Sequence, residues 1–228
     1  IGEAVDASLL AWRNVGHAKA NVSDEQVVAD HATALLDVDL RLSPGPKLRF
    51  GALTVEGEER MREGRVRKIA GLPEGETFSE TELRRAENRL RRTGIFSSVT
   101  LAEDEQITDP DLLGVTATVV EQKPRRYSFG AEIASLDGLS VEGSWLHRNL
   151  MGGGERLKVE GAATNIGSGQ SGIDYMLGVS LDRPATITPD TTAGLSLTYA
   201  HLDETDYYVD GLQFGLNLVH VFSDKLTG

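Results

Sequence analysis

The sequence has no cysteine, few aromatic residues and no long apolar run. Among its 228 residues there are no Cys and only two Trp. The absence of Cys excludes a disulfide scaffold, cysteine-ligated zinc or iron–sulfur sites and a thiol nucleophile. No stretch of about 18 consecutive apolar residues occurs, which excludes a transmembrane helix. A transmembrane β-barrel is not excluded, because its strands are only half apolar.

The sequence also has fewer basic residues than acidic ones. Asp and Glu number 35 against 23 Lys and Arg, and the formal net charge is -12. This balance argues against a general nucleic-acid-binding protein, which would normally be basic. The chain starts at Ile1, without the basic-then-apolar order of a signal peptide, and stops at Gly228 in a turn-like sequence. We therefore expect it to be an excerpt of a longer protein.

The chain changes character near Pro124. Up to and including Arg126 it carries 22 acidic and 18 basic residues, whereas the remainder carries 13 acidic and 5 basic residues. The later part also holds most of the glycine and has almost no helical periodicity. Two kinds of structure are therefore predicted, with a boundary between residues 123 and 124.

Residues 47–123 are predicted to form a complete β-α-α-β-β module. Its second helix has the clearest end signals, since Ser79 and Glu82 form a capping box and Gly94 stands where a terminal glycine belongs. The predicted strands span residues 48–55, 95–101 and 113–121, and the first helix spans residues 58–70.

Part of this module occurs a second time, earlier in the chain. Gly16 and Pro46 each stand 78 residues before Gly94 and Pro124. Alternating apolar residues precede Pro46, as they precede Pro124. Residues 1–46 are therefore predicted to be the C-terminal part, α-β-β, of a preceding module.

Residues 124–228 contain six segments in which apolar and polar residues alternate. The segments run about 9–14 residues, enough for a tilted strand to cross a bilayer, whereas soluble strands average about five or six. One face is aliphatic and aromatic, and the other is polar. This pattern favours the first six or so strands of an incomplete antiparallel transmembrane β-barrel. The alternative is a soluble sheet with one wet face.

No pattern in the sequence argues for catalysis, a cofactor or a metal. Residues 167–172 match the letters G-x-G-x-x-G, but a strand rather than a helix is predicted after them. The five His residues lack metal-ligand spacing, and the acidic clusters at 103–105 and 203–206 lack EF-hand spacing. We therefore expect no enzymatic activity and no bound cofactor.

The two module helices are rich in basic residues. Such a face could meet anionic lipid headgroups or an acidic partner. The interleaved Glu residues favour a solvated helix surface instead. The ten basic residues are Arg60, Arg62, Arg65, Arg67, Lys68, Arg84, Arg85, Arg89, Arg91 and Arg92.

The edges of the predicted three-stranded sheet are the stronger functional feature. An extended peptide can add to such an edge through main-chain hydrogen bonds, which select only weakly for sequence. This suits a receptor for many unfolded polypeptides. The alternative is an edge that charged residues protect.

Together these features resemble the BamA/TamA superfamily of outer-membrane assembly proteins, and most of all its TamA branch. Its members carry periplasmic POTRA modules (β-α-α-β-β) ahead of a barrel of the bacterial surface antigen type. The resemblance covers essentially the whole chain. The stretches that carry it include FSETEL (78–83), RRTGIF (91–96), GSWLHRNL (143–150) and GGERL (153–157).

The resemblance implies a factor that binds unfolded clients by strand augmentation and inserts or exports them through a lateral gate in the barrel. The implied partners are outer-membrane or autotransporter polypeptides, a periplasm-spanning helper subunit and the lipid bilayer, with no nucleic acid. The implied location is the bacterial outer membrane, with the POTRA modules in the periplasm. A two-partner secretion transporter, which exports a polypeptide through its lumen, is the main alternative. A porin-like barrel and a soluble β-rich binding protein are further ones.

The resemblance also assigns two sets of site residues. The exposed second strand of the module, which would bind clients, corresponds to Phe96, Ser97, Ser98, Val99, Thr100 and Leu101. The first barrel strand, one side of the lateral gate, corresponds to Tyr127, Ser128, Phe129, Gly130, Ala131, Glu132, Ile133 and Ala134.

Overall fold

The computed structural model describes residues 2–30, 35–108, 110–169, 172–203, 206–223 and 225–228. Contacts divide the chain into two compact units. The first unit comprises residues 1–56, 72–88 and 100–118, and the second comprises residues 57–71, 89–99 and 119–228.

Helices occur only before residue 93 within these described ranges. The elements of the N-terminal part are α1 (Gly2–Arg13), β1 (Asn21–Asp30), β2 (Leu35–Ser43), β3 (Arg49–Glu56), α2 (Glu63–Ala70), α3 (Glu80–Arg92), β4 (Phe96–Thr108) and β5 (Leu112–Glu121). The later elements are β6 (Arg125–Ala134), β7 (Gly138–His147), β8 (Arg156–Ile166), β9 (Asp174–Arg183), β10 (Thr191–Asp203), β11 (Tyr208–Ser223) and β12 (Leu226–Thr227).

The POTRA-like order β-α-α-β-β is present from β3 to β5. The strands form a three-stranded sheet in the order β3-β5-β4, so β5 is central and β4 lies at an edge. β3 and β5 are parallel, from the pair Arg49↔Leu112 to the pair Glu56↔Thr118. A parallel pair needs a long crossover, which the two helices supply. Before this sheet, β1 and β2 form a separate antiparallel ribbon.

The module has an apolar core on one face of its sheet. In β5, every second side chain is buried, and Val115 and Ala117 are completely inaccessible. In the first unit, the rings of Phe50 and Phe78 pack with their centroids 4.9 Å apart. In the second unit, α2 and α3 contribute buried side chains such as Ile69 and Leu90. Burial of each such side chain stabilises the fold by about 1.5–3 kcal/mol.

The helix predicted over residues 58–70 begins later, at Glu63. The reason is the carboxylate of Glu121, whose Oε1 accepts hydrogen bonds from the backbone N–H groups of Glu59, Arg60 and Met61 at 3.0, 2.9 and 2.8 Å. This anchor holds the segment as a turn and satisfies donors that a helix start would leave unpaired. Burial alone would raise the pKa of Glu121, but the three donors outweigh it and the pKa is lowered.

α3 has the predicted ends, and its cap has an additional member. The Ser79 hydroxyl accepts from the Glu82 N–H at 3.5 Å and donates to Asn14 Oδ1 at 3.0 Å. Asn14 Oδ1 also accepts from the Thr81 N–H at 3.0 Å, so the segment after α1 helps to cap α3. At the other end, Gly94 has φ +66°, a conformation that favours glycine.

β6 to β12 form one seven-stranded sheet in sequence order, with β6 and β12 at its edges. Its neighbouring strands are antiparallel, and the six long strands contain 10 to 16 residues. The register places apolar residues beside one another across the strands, as in the row Val159↔Val179↔Leu197↔Phe214. This confirms the predicted fold class, in which the module precedes a large antiparallel sheet.

The apolar face of this large sheet is exposed. Its side chains include Phe129 and Ile133, which are 86% and 84% exposed, and Leu212 and Leu216, which are both 72% exposed. Their neighbours along each strand, on the opposite face, are mostly polar or small. Within the described ranges, no helix is long and apolar enough to span a membrane.

Candidate client-binding edges and the turns of the large sheet

The predicted client-binding residues lie at the start of β4, the edge strand of the module sheet. Phe96, Val99 and Leu101 are buried, whereas Ser97 and Ser98 are both exposed. Two consecutive exposed residues break the strand alternation and indicate a β-bulge. A bulge re-aims an edge strand, and it is one of the devices by which proteins protect edges.

Side chains also cover part of this edge strand. In the second unit, the Arg91 guanidinium of α3 donates to the Val99 carbonyl at 2.9 Å. The Gln122 side-chain amide donates to the Phe96 carbonyl at 3.0 Å. Two of the six predicted residues therefore have a backbone carbonyl that already binds a side chain, which supports the protected-edge alternative at these two positions.

The first unit covers a later part of β4. Lys19 Nζ donates to the Asp104 carbonyl at 2.8 Å, and Arg13 forms an ion pair with Glu103. Arg13 also bonds Glu80 at 2.7 Å, so one guanidinium holds two carboxylates. Thr100 and Leu101, the last two of the predicted client-binding residues, lie between the covered carbonyls of Val99 and Asp104.

The predicted gate strand, β6, lies at one edge of the large sheet. It pairs with β7 in unbroken register from Arg125↔His147 to Ala134↔Gly138. Tyr127 is 61% exposed and lies on the same face as Phe129 and Ile133, whereas Glu132 lies on the polar face. The eight predicted residues thus form one strand with an apolar face and a polar face.

Some arginines of α2 and α3 bind the turns of the large sheet instead of facing solvent. Arg89, whose side chain is only 9% exposed, donates to both carboxylate oxygens of Asp190, at 3.0 and 2.6 Å. It also donates to the Ala70 and Gly71 carbonyls, at 3.1 and 3.2 Å. Arg92 donates to the same carboxylate at 2.9 Å. The bond from Arg89, with its charge, lowers the pKa of Asp190.

Asp190 belongs to the turn between β9 and β10, and Arg65 binds the start of the same turn. Its guanidinium donates to the Pro184 carbonyl at 2.8 Å and to the Gly153 carbonyl at 3.0 Å. Gly153 lies in the turn between β7 and β8, so one arginine of α2 joins two turns. Burial and the nearby positive charge of Arg183 lower the pKa of the Arg65 guanidinium.

The turn between β7 and β8 is built around a buried carboxylate. Glu155 is 2% exposed and accepts from the N–H groups of Gly153 and Met151 at 3.0 and 3.3 Å. Burial alone would raise its pKa, but these donors outweigh it and the pKa is lowered. Gly154 has φ +88°, and a Cβ there would come within 3.2 Å of both Ile95 and Pro184. The positive φ together with this close approach favours glycine at position 154.

Sequence reasoning missed these contacts because they join residues about 100 positions apart. The solvated-surface interpretation is wrong for Arg65 and Arg89, which bind the turns of the large sheet. It holds for Arg67, Arg84 and Arg85, whose exposed side chains pair with Glu residues of their own helices. Nothing in the local pattern separates the two groups.

The remaining candidates form no site in the described part of the chain. In the glycine-rich stretch 167–172, Gln170 and Ser171 lie outside the described residues, and the next element is strand β9 rather than a helix. In the acidic cluster 203–206, Glu204 and Thr205 also lie outside them. No group of three or more His, Asp or Glu that could hold a metal ion occurs in the described ranges.

A module of this topology followed by long, outward-apolar strands also occurs in known proteins. Residues 48–122 match the POTRA family model, whose description is "Surface antigen variable number repeat". The chain is 26% identical over 145 residues to "Outer membrane protein assembly factor BamA" of Nitratidesulfovibrio vulgaris. That match covers 63% of this chain and 18% of the BamA chain.

Two solved structures have the same fold. BamA from Haemophilus ducreyi lacking POTRA domains 1–3 superposes with a TM-score of 0.71 at 18% identity, over 94% of this chain and 40% of that one. CdiB from Acinetobacter baumannii superposes with a TM-score of 0.62 at 10% identity, over 92% of this chain and 40% of that one. The chain therefore spans less than half the length of these relatives.

These findings confirm the resemblance to the BamA/TamA superfamily, and the likeness to its TamA branch stays a prediction. They locate the protein in the bacterial outer membrane, with its POTRA module in the periplasm.

Proposed function

We propose that this chain is part of an outer-membrane protein assembly or translocation factor. Unfolded β-rich clients, such as outer-membrane or autotransporter polypeptides, pair with β4 and pass to the lateral gate formed by β6. No chemical step is needed, since the factor acts as a template and not as an enzyme. A periplasm-spanning helper subunit belongs to this proposal, as the resemblance implies.

One observation carries the proposal: β4 is an outer strand of the module sheet, so its side away from β5 is an edge. β6 is the first strand of the large sheet, where the resemblance places the gate. An exposed edge offers main-chain donors and acceptors to an incoming strand. At β6 the template matters most, because each unpaired backbone group in hydrocarbon costs several kcal/mol.

Two side-chain contacts favour a shorter client-binding stretch within the proposed strand. The Phe96 and Val99 carbonyls already bind side chains. We therefore expect pairing to centre on Thr100 and Leu101, between Val99 and the covered Glu103. Thr100 is exposed, whereas Leu101 is buried in the core, so Thr100 is the better position for a probe.

Site-specific crosslinking tests the client-binding edge. In the full-length protein, a cysteine replaces Thr100, and a matched cysteine replaces Arg84, which is 67% exposed on α3. The present chain contributes no background, because it has no Cys. We expect a stalled unfolded client to crosslink at position 100 and not at position 84. Crosslinks at position 84 alone would reject strand augmentation.

The likeness to CdiB favours a second candidate, the two-partner secretion transporter. It would export its client through the lumen, so client crosslinks would follow the polar face of the large sheet. Cysteines at Ser128 and Phe129, adjacent residues on opposite faces of β6, separate the two. Lumenal export predicts contact at Ser128 without client strand pairing along β6, whereas gating predicts that the client pairs with β6 and contacts both positions.

A further inference from the structure

We infer that Arg89 and Asp190 form an ionic latch that fastens part of the POTRA module to the turns of the large sheet. The part concerned, the sheet-side part of the module, comprises residues 57–71, 89–99 and 119–122, which lie in the same compact unit as the large sheet. The latch makes this part and the sheet move as one body. Arg89 and Asp190 are positioning residues and do not touch the client.

The latch is a buried, two-bond ion pair. Arg89 presents two nitrogens to the two oxygens of Asp190, at 3.0 and 2.6 Å, a geometry that adds direction to charge. The side chains are only 9% and 17% exposed, so removal of the Asp190 carboxylate leaves the Arg89 charge without its ion-pair partner in a poorly solvated place.

Arg89 is itself fixed by the module. Its guanidinium bonds the Ala70 and Gly71 carbonyls at the end of α2, so it joins α2, α3 and the β9–β10 turn. On the other side, the Asp190 carbonyl accepts from the Val221 N–H at 3.1 Å, which ties the turn to β11. Both partners of the latch are therefore anchored in rigid elements.

A second set of contacts keeps the β7–β8 turn beside the module. The Arg62 N–H donates to the Gly152 carbonyl at 3.0 Å, next to the Arg65 bond with Gly153. At the first strand of this hairpin, Arg148 donates through its backbone to the Pro124 carbonyl at 2.8 Å and through its side chain to the Lys123 carbonyl at 3.0 Å. The link between β5 and β6 is thus held where the gate strand begins.

The consequence rests on the proposed function. Residues 96–99 of the client-binding strand lie in the sheet-side part of the module, and β6 begins at the link that Arg148 holds. A closed latch therefore fixes the start of the client-binding strand relative to the gate strand. Opening the latch would uncouple the two edges, and a client would lose its path from one to the other.

Distance measurements between spin labels test the latch directly. In the full-length protein in lipid nanodiscs, labels are placed at Lys68 on α2 and at Ile187 in the β9–β10 turn, which are both exposed. Asp190→Asn keeps the shape of the side chain but removes its charge, Asp190→Glu restores the charge, and Asp111→Asn removes the carboxylate of an exposed Arg–Asp pair in the first unit.

We expect a single narrow distance population in the wild-type protein and in the Asp111→Asn control. Asp190→Asn should broaden it and add a longer-distance population, and Asp190→Glu should restore most of the narrow one. An unchanged distribution in Asp190→Asn would overturn the inference. The same samples are then tested for insertion of a barrel client. A broadened distance distribution with unchanged client insertion would support the inferred latch but count against the proposed function.

Discussion

The two sheets of this molecule share one alternating sequence pattern, but the module sheet buries its apolar residues and the large sheet exposes them. In β5 of the module, Val115 and Ala117 are completely buried, whereas Phe129 and Ile133 in β6 are 86% and 84% exposed. Both strands alternate apolar and polar residues. A continuous exposed apolar face is a liability in water, but it is the surface that lipid requires.

The comparison shows that neither alternation nor strand length distinguishes the two environments. β4 and β5 contain 13 and 10 residues, and β6 contains 10. What differs is the chain between the strands. The module carries α2 and α3 between β3 and β4, whereas only turns connect the successive strands from β6 to β12 in the described ranges. Apolar strands without helices to cover them indicate a membrane sheet.

Removing a core aromatic from the module should have the largest effect. Phe50 is completely buried against Phe78, so Phe50→Ala should lower the free energy of unfolding of the module by about 3–5 kcal/mol. Phe129→Ala, in the exposed face of β6, is the matched control and should leave the module unchanged. Hydrogen exchange of the module amides measures both. Equal losses would contradict the assignment of the two faces.

A charge on the apolar face of the large sheet should be the next most costly change. Leu197 lies on that face, and its neighbour Ser196 lies on the polar face. Leu197→Lys should destabilise the sheet in a bilayer by about 2–4 kcal/mol, whereas Ser196→Lys should have little effect. Unfolding by urea in lipid vesicles measures the difference. A similar loss of stability for both variants would mean that lipid does not contact the face that carries Leu197.

Removing the latch carboxylate should have a smaller, pH-dependent effect. Asp190→Asn should cost about 2 kcal/mol at neutral pH, as expected for bonds between charged groups. The pKa of Asp190 is lowered from its ordinary value of 3.8 by the bond from Arg89. Its contribution is therefore fully present above about pH 4 and is lost as the pH falls through the lower folded-state pKa.

Wild-type and Asp190→Asn proteins should accordingly converge in stability as the pH falls below about 4, and a pH series of unfolding curves tests this. A difference that stays constant down to low pH would show that the substitution acts through packing and not through the charge.

The smallest effect is expected at the exposed ion pair of the module. Arg49 and Asp111 make two bonds of 2.8 Å, but both side chains are well exposed. Such pairs gain little because water solvates the separated charges almost as well. Asp111→Asn should leave the unfolding midpoint unchanged within error. A shift as large as that of Asp190→Asn would undermine the distinction between the two ion pairs.

Much of the fold could be predicted because its signals are local. Ser79 and Gly94 mark the ends of α3, and the alternation from Tyr127 onward marks the strands of the large sheet. The start of α2 could not be predicted, because the carboxylate that holds the preceding turn comes from Glu121, about 60 positions away.

The candidate site also has one part that the sequence predicts and one part that it does not. The position of β4 follows from the order of the module elements, and its edge location is a property of that topology. The latch does not follow from the sequence, since Arg89 looks like any other arginine on a polar helix face until Asp190 is placed against it. An ion pair between residues far apart in the chain produces no periodic pattern in the sequence.

The central claim is that the apolar face of the large sheet lies in lipid, and one accessibility scan tests it most directly. Spin labels are placed singly at residues 194–199 of β10 in the full-length protein, reconstituted in a bilayer. The account predicts a two-residue oscillation, with Leu195, Leu197 and Tyr199 accessible to oxygen and the alternate positions accessible to a water-soluble nickel reagent. An oscillation of the opposite phase, or equal access of the nickel reagent to all six positions, would contradict it.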